Sequence, residues 1–241
     1  WCGYCLSGLT KEQGFLFLYG IGKNGKSVFV KVLSELMSSY HRNVDSSTLI
    51  LRQNTEGARG DVARLVGARL VTSVELPDGK RFDENFIKQL TGGDRVTVRE
   101  LYKSEFEFDP TLKLLISGNH KPIVTGTDFG FWRRVNLVPF TAKIDSPDLY
   151  LVDRLMKEKS GILNWMLEGW KIYQSEGLVI PEIVKQQSNE YKDDMDLLAQ
   201  FKTDCLVNED RAKIYASKLY SIYQQWSKLN GFNNPMNSKS F

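Results

Sequence analysis

The stretch Phe15-Leu16-Phe17-Leu18-Tyr19-Gly20-Ile21-Gly22-Lys23-Asn24-Gly25-Lys26-Ser27 decides the fold of this 241-residue chain. Its first five residues are all apolar or aromatic, which is typical of a strand buried on both faces of a parallel sheet. After Ser27, apolar residues recur at helical spacing as far as about Ser39. A buried strand, a glycine-rich loop and an amphipathic helix in this order predict an α/β fold.

Residues 20–27 match the pattern GxxxxGK[ST] in full. Glycines in such a loop let successive backbone amides point at phosphate groups, and the helix that follows adds the positive end of its dipole. The lysine reaches the β- and γ-phosphates, and the serine hydroxyl can coordinate Mg²⁺. The sequence therefore predicts a P-loop for ATP and Mg²⁺ rather than a glycine-rich turn with a chance lysine. The candidate binding residues are Gly20, Gly22, Lys23, Asn24, Gly25, Lys26 and Ser27. Lys26 is also a candidate catalytic residue, and Ser27 is a candidate metal ligand.

Further apolar runs with helical patterns between them predict a parallel central sheet in an α/β sandwich. Residues 94–110 alternate with period two on both sides of a polar centre, which indicates a β-hairpin projecting from the sheet. The predicted strands cover 70–74, 112–117 and 135–138, and the predicted helices cover about 61–65, 83–90, 149–159, 162–174, 181–207 and 216–229. Pro181 fits the first position of its helix. We expect a core domain over 1–145, a helical extension over 146–196, and the start of a small helical domain over 197–241.

The composition is that of an ordinary soluble protein, with 41% apolar and 25% charged residues. A formal net charge of +3 does not by itself single out nucleic acid as a partner, so any DNA site must be local. No apolar run approaches the roughly 20 residues of a membrane-spanning helix, so no membrane is expected. Three cysteines are too few for a disulfide framework, which favours a cytoplasmic setting, and Cys2 and Cys5 lack the further ligands of a zinc site. The chain opens on Trp1 without a methionine, and we expect it to be part of a longer protein.

Glu75 follows the predicted strand 70–74 directly. A carboxylate at the end of a strand that neighbours the P-loop strand can hold Mg²⁺ and polarise the attacking water. Glu75 has no second acid beside it, so its division between metal binding and water activation stays open. Asp78 and Glu84 are further acids in this part of the sequence.

Asn119 follows the predicted strand 112–117. A neutral amide at such a strand end can hydrogen-bond both the γ-phosphate and the lytic water. His120 beside it fits a surface histidine better than a catalytic one.

Arg133 and Arg134 stand just before the strand 135–138. They are candidates for an arginine finger that stabilises charge on the transferred phosphoryl group. The alternative is a surface pair bonded to carboxylates.

The hairpin region carries Lys88, Arg99, Tyr102 and Lys103, a mixture of basic and aromatic side chains. Basic groups can follow a sugar-phosphate backbone while an aromatic ring packs on a sugar or base, which makes this a candidate site for single-stranded DNA. Acidic residues in the same segment dilute the charge, so a solvated hairpin is the alternative.

Taken in order, these segments resemble the superfamily 3 helicases, and most closely the phage and plasmid primase-helicase group with its poxvirus relatives. The likeness spans about residues 3–140 and keeps the order of several motifs, which makes it more specific than the P-loop alone. The matching segments are Gly3-Tyr4-Cys5-Leu6-Ser7-Gly8, Gly22-Lys23-Asn24-Gly25-Lys26-Ser27, Arg69-Leu70-Val71-Thr72-Ser73-Val74-Glu75, Lys88-Gln89-Leu90-Thr91-Gly92-Gly93-Asp94 with Arg99 and Tyr102-Lys103, Asn119 within 117–122, and Phe131-Trp132-Arg133-Arg134 through Pro139-Phe140.

The resemblance implies an AAA+-like ATPase that assembles as a homohexameric ring around single-stranded DNA. It implies that Glu75 is the Walker B acid, Asn119 the polar sensor and Arg134 the finger that reaches the neighbouring subunit's nucleotide. It also implies that Arg99 and Lys103 line the channel and move DNA. In this group a primase domain often precedes the helicase and a winged-helix domain often follows, and residues 197–241 resemble an interrupted copy of the latter.

The sequence thus predicts an ATP- and Mg²⁺-dependent DNA helicase motor of a phage, plasmid or other mobile element, in the bacterial cytoplasm if the replicon is bacterial. One alternative is an origin-binding initiator that uses ATP only as an assembly switch. Another is a clamp-loader-like or chaperone-like ATPase that acts on protein.

Overall fold

A parallel β-sheet forms the centre of Trp1–Lys192, the first of two units into which the chain divides, the second being Asp193–Phe241. The computed structural model describes residues 1–52, 59–100, 102–126, 128–207, 209–230, 232, 236–239 and 241. The strands are β1 (Phe15–Tyr19), β2 (His41–Asn43), β3 (Leu70–Val74), β4 (Val96–Arg99), β5 (Glu105–Phe108), β6 (Lys113–Gly118) and β7 (Val135–Pro139).

The strand order of the central sheet is β2-β3-β6-β1-β7, and every neighbouring pair is parallel. All six residues of β6 are buried, as expected for the middle strand of a sheet that is covered on both faces. The predicted α/β fold with a parallel central sheet is confirmed. The expectation that the strand before Glu75 neighbours the P-loop strand is wrong, because β6 lies between β1 and β3. Strand order depends on tertiary pairing, which the local pattern does not encode.

The helices agree with the predicted helical segments except at a few positions. The predicted helix 181–207 is two helices, because the Asp196 carboxylate accepts a hydrogen bond from the Ala199 amide at 2.9 Å and caps a new helix. Pro181 precedes its helix instead of opening it. Neither β2, with only three residues, nor the single-turn helix at 129–132 was predicted.

The helices are α1 (Lys26–Met37), α2 (Gly60–Ala63), α3 (Glu84–Gly92), α4 (Phe129–Trp132), α5 (Leu151–Lys157), α6 (Lys159–Glu176), α7 (Glu182–Met195), α8 (Leu197–Cys205) and α9 (Ala216–Leu229). Within the described ranges, none of them combines the length and apolarity needed to cross a bilayer.

The core of the first unit joins α1, the sheet and α6. Val30, Leu33 and Met37 of α1 pack with Leu18, Leu70 and Leu115 of the sheet, and with Met166 and Cys5. Gly3 packs so closely on α6 that a Cβ there would lie 2.2 Å from the Trp170 amide nitrogen. The segment before β1 is therefore part of the core.

Lys113, the first residue of β6, ties this segment to the sheet. Its side chain is 2% exposed. Its Nζ donates to the Ser7 carbonyl, to the Leu9 carbonyl at 3.3 Å and to the Thr111 carbonyl at 3.2 Å. Burial lowers the pKa of Lys113 to about 8.

The predicted hairpin is confirmed: β4 and β5 pair antiparallel, with Val96 opposite Phe108 and Arg99 opposite Glu105. Val96 and Val98 are buried while Thr97 and Arg99 are exposed, so the alternation seen in the sequence has one inward and one outward face.

The second unit, described by itself, is built on α8 and α9. Phe201 of α8 packs against Tyr223 and Trp226 of α9, and the Trp226 Nε1 donates to the Asp204 carboxylate at 3.0 Å. The likeness of this segment to a winged-helix domain stays a prediction.

Candidate nucleotide-binding site

A cleft of about 720 Å³ opens at the carboxyl edge of the parallel sheet. The loop between β1 and α1, the residues that follow β3 and β6, and the segment leading into α5 form its walls. Among the predicted site residues, Gly22, Lys23, Asn24, Gly25, Lys26, Ser27, Glu75 and Asn119 line this cleft. The fold thus brings together residues that are nearly 100 positions apart in the sequence, since parallel strands end at the same edge.

The loop before α1 has a backbone that only a glycine-rich sequence adopts easily. Gly22 and Gly25 have φ of 79° and 89°, and Lys23 between them has φ of 46°. A Cβ at Gly22 would have no heavy atom within 4 Å, so this part of the backbone borders open space. At Gly20 a Cβ would lie 2.3 Å from the Phe140 carbonyl oxygen, so only glycine fits.

Two hydrogen bonds fix this loop against the segment after β7. The Asn24 Nδ2 donates to the Phe140 carbonyl at 2.9 Å, and the Ile144 amide donates to the Lys23 carbonyl at 2.9 Å. The first amides of α1 point out of its N-terminus without partners inside the helix, and the helix dipole makes this end positive. A loop held in this way is ready to bind an anion such as a phosphate.

Lys26 is a buried cation in the wall of the cleft. It is 5% exposed, and its Nζ donates to the Gly20 carbonyl at 2.6 Å, to Asn24 Oδ1 at 3.1 Å and to Asn119 Oδ1 at 3.1 Å. Burial lowers the pKa of Lys26. These neutral oxygens hold the ammonium where phosphate oxygens could replace them as stronger, charged acceptors.

Glu75 stands directly after β3 and faces the same cleft. Its φ of 60° is in the left-handed region, which costs a non-glycine residue about 1 kcal/mol or more. The Glu75 amide donates to the Ser117 carbonyl at 3.0 Å, so the end of β6 holds this conformation. Such a backbone is common at functional sites, because surrounding structure must maintain it.

The donor set of the cleft fits a triphosphate with Mg²⁺. Loop amides and the Lys26 ammonium are anion donors, while the Ser27 hydroxyl and the Glu75 carboxylate, both exposed to the cleft, are the oxygen ligands that Mg²⁺ prefers. Asp78 and Glu84, the further acids considered from sequence, do not line the cleft. Asp78 lies 3.5 Å from the His120 ring, and Glu84 accepts hydrogen bonds from the amides of Thr125 and Gly126 at 3.0 and 3.1 Å.

The arginine pair lies at the other end of the sheet, just before β7. Arg134 is 7% exposed and donates to the Gly130 carbonyl and, at 3.2 Å, to Gln13 Oε1. Arg133 is exposed and donates to the same Gln13 oxygen. Burial and the adjacent Arg133 lower the pKa of Arg134. The five residues of β7 span about 16 Å, so neither arginine can reach the cleft of its own chain.

Lys88 belongs to α3 and not to the hairpin. Its Nζ lies 2.7 Å from the Asp128 carboxylate, which in turn accepts from the Gly130 amide at 2.9 Å and caps α4. The Lys88 hydrogen bond lowers the pKa of Asp128. Lys88 therefore joins α3 to α4 here, and its predicted contact with DNA stays untested.

The other predicted DNA-binding residues do lie at the hairpin tip. Arg99 ends β4, and Tyr102 follows in the connecting turn with φ of 61° and a side chain that is 97% exposed. Lys103 forms an ion pair with Glu100. The tip thus presents an aromatic ring and two basic side chains to solvent.

The cleft also contains two charged residues of opposite sign that the sequence did not single out. Asp148 and Arg154 line it and form an ion pair with each other, with Arg154 on α5. They belong to no recognised motif and lie beyond the last segment of the resemblance. The one sequence signal was the position of Asp148 shortly before a predicted helix, where aspartate is common.

Comparison with known protein families matches two segments of the chain. Residues 18–134 match a family described as "Family of unknown function (DUF5906)". Residues 193–241 match the family described as "Poxvirus D5 protein-like".

Curated relatives come from large DNA viruses. The chain is 29% identical over 248 residues to "Putative helicase L207/L206" of Acanthamoeba polyphaga mimivirus, which covers 94% of this chain and 26% of the relative. It is 27% identical to "Putative helicase 022R" of Frog virus 3 (isolate Goorha), covering 92% of this chain and 25% of the relative. It is 21% identical to "Putative primase C962R" of African swine fever virus (isolate Warthog/Namibia/Wart80/1980), covering 91% of this chain and 25% of the relative. The chain therefore spans about a quarter of the length of these relatives.

Solved structures share the fold. An apo structure of the C-terminal region of NrS-1 matches with a TM-score of 0.59 and 15% identity, covering 85% of this chain and 48% of that one. A second apo structure of that region matches with a TM-score of 0.55 and 13% identity, covering 93% of this chain and 60% of that one. Together these findings confirm the resemblance of the chain to viral primase-helicase-like proteins. The relatives are proteins of viruses whose names refer to amoebae, frogs and swine. An origin of this chain in a phage or plasmid therefore stays a prediction.

Proposed function

We propose that this chain is the ATP-driven motor of a replicative DNA primase-helicase, of the superfamily 3 and AAA+-like type, and that it moves along single-stranded DNA as a homohexameric ring. The observation that carries the proposal is the meeting of Lys26, Asn119 and Glu75 in one cleft beside the glycine-rich loop. The names of the viral relatives, helicase and primase, point to an enzyme of DNA replication and agree with it.

In this proposal the loop amides and Lys26 bind the β- and γ-phosphates of ATP, replacing the neutral oxygens that surround the Lys26 ammonium. Ser27 and Glu75 hold Mg²⁺, which when bound neutralises charge that develops on the phosphates. Asn119, released from Lys26, orients the attacking water, and the Glu75 carboxylate withdraws its proton. Asp148 and Arg154 border the cleft, where the Arg154 cation can turn towards the nucleotide.

The position of the arginine pair, Arg133 and Arg134, supports assembly of several subunits into a ring. Because Arg133 and Arg134 lie a whole strand away from their own cleft, a phosphate that either contacts belongs to a neighbouring subunit. Arg133 is exposed, whereas Arg134 is buried, so exposure favours Arg133 as the side chain that reaches the neighbour. This differs from the assignment of Arg134 that the resemblance implies.

The hairpin tip supplies the proposed contact with DNA. Tyr102 can stack on a base or sugar, and Arg99 and Lys103 can neutralise phosphates. Stacking of one base on an exposed aromatic ring contributes about 1–3 kcal/mol.

Replacing Lys103 with alanine is expected to abolish strand displacement and to weaken binding of single-stranded DNA, because a phosphate contact is lost. ATP turnover without DNA should be retained, since the hairpin tip is not part of the cleft. The measurement is displacement of a labelled strand from a partial duplex in ATP and Mg²⁺, with DNA affinity measured by fluorescence anisotropy.

Lys171→Ala is the matched control, because Lys171 is also 69% exposed and also pairs with a glutamate three residues away in sequence. It should unwind DNA like the unaltered chain. Equal displacement by the Lys103 and Lys171 variants would contradict the proposed DNA contact at Lys103. Hydrolysis of ATP by the unaltered chain without any displacement would favour the initiator switch.

A further inference from the structure

Gln13 occupies the turn that leads into β1. Its φ of 55° is in the left-handed region, and its amide donates to the Thr10 carbonyl at 2.9 Å. Two residues later the Phe15 amide donates to the Arg134 carbonyl at 2.8 Å, so this turn lies beside the start of β7. Gln13 belongs to no sequence motif, so it could not be singled out before its contacts were known.

The Gln13 side chain has partners on two sides. Its Oε1 accepts hydrogen bonds from both Arg133 and Arg134, and its Nε2 donates to the Gly92 carbonyl at 3.0 Å. An amide can do both at once, since it carries an acceptor and a donor on one planar group. The two guanidinium groups and the carbonyl also determine which end of the amide is the oxygen.

Gly92 is the last residue of α3, and the hairpin begins four residues later at Val96. Gly93, between them, has φ of 83° and turns the chain from the helix into β4. A second contact, the Lys88–Asp128 ion pair, joins the same helix to α4, which ends directly before Arg133. The root of the hairpin and the arginine pair therefore form one hydrogen-bonded assembly.

We propose that Gln13 is a positioning residue that couples the hairpin to the arginine pair, so that DNA held at the hairpin changes ATP hydrolysis in the neighbouring subunit's cleft. The inference rests on the proposed function, since it needs a hairpin that binds DNA and arginines that contact a nucleotide. Displacement of the hairpin root moves the Gly92 carbonyl, and the Gln13 amide transmits this movement to both guanidinium groups.

The test is ATP turnover with and without single-stranded DNA in two variants. Gln13→Ala removes the hydrogen bonds to the two arginines and the hydrogen bond to the Gly92 carbonyl. Gln13→Glu has nearly the same shape and keeps charged acceptors for the arginines, but it places a carboxylate oxygen against the Gly92 carbonyl and so breaks only the hairpin side. We expect DNA to stimulate ATP turnover of the unaltered chain roughly fivefold or more. In both variants the ratio of turnover with DNA to turnover without DNA should fall to about one.

Gln89→Ala is the matched control. The Gln89 Nε2 also donates to a carbonyl at the hairpin root, that of Arg95 at 3.1 Å, but within the described part of the chain Gln89 is not a hydrogen-bond partner of Arg133 or Arg134. This variant should keep the ratio of the unaltered chain. A residue that only stabilised the fold would lower both rates together and leave their ratio unchanged.

The outcomes separate the two proposals. If the unaltered chain is stimulated by DNA and Gln13→Glu is stimulated equally, the role of Gln13 is wrong while the proposed function stands. Loss of stimulation in Gln89→Ala as well would also contradict a specific role of Gln13. If the unaltered chain hydrolyses no ATP or ignores DNA, the proposed function itself fails.

Discussion

Replacing Lys26 with alanine is expected to lower ATP turnover by roughly 100-fold or more and to weaken ATP binding. The ammonium is buried in the wall of the cleft, where its attraction to phosphate oxygens is stronger than in water. Loss of this cation leaves charge on the β- and γ-phosphates that the loop amides alone must stabilise. Titration calorimetry with ATP and Mg²⁺ measures the affinity, and phosphate release measures the rate.

Lys26→Met separates charge from volume, because methionine is similar in length and uncharged. It should fail as Lys26→Ala does, while Lys171→Ala, which removes an exposed lysine on α6, should bind and hydrolyse ATP normally. Turnover by Lys26→Met close to that of the unaltered chain would show that the cleft does not work as a phosphate site.

Glu75→Gln is expected to separate binding from hydrolysis. The amide keeps the shape of the side chain and one oxygen that can still face Mg²⁺, and it leaves the backbone bond to the Ser117 carbonyl in place, so ATP should still bind. Turnover should fall by roughly 100- to 10,000-fold, because an amide cannot take a proton from water. The measurement pairs ATP affinity with single-turnover hydrolysis.

Asp148→Asn is the matched control for Glu75, since Asp148 is another carboxylate that lines the cleft but is paired with Arg154. It should keep most of the turnover. The reverse order, with Asp148→Asn inactive and Glu75→Gln active, would transfer the role of catalytic acid-base group to Asp148.

The strands and the glycine-rich loop between β1 and α1 could be predicted because their signals are local. A run such as 15–19 is apolar throughout, and 96–99 alternates, so each pattern fits only one kind of burial. The cleft residues Lys26, Glu75 and Asn119 followed from these predictions, since the carboxyl ends of parallel strands meet at one edge.

What could not be predicted depends on long-range packing. The place of β6 between β1 and β3 decides that Asn119, and not Glu75, is next to the P-loop strand. The ion pair of Lys88 with Asp128 could not be predicted, because the two residues are 40 positions apart in the sequence. The bonds of Gln13 to Arg133 and Gly92 span 120 and 79 residues and leave no trace in the local pattern.

The most direct test of the account is ATP turnover by this chain in Mg²⁺, with and without single-stranded DNA. A motor with the nucleotide site described above should hydrolyse ATP, and DNA should raise the rate several-fold, roughly fivefold or more. Turnover that is absent, or that is the same with and without DNA, would contradict the claim that ATP bound beside Lys26 drives movement on DNA.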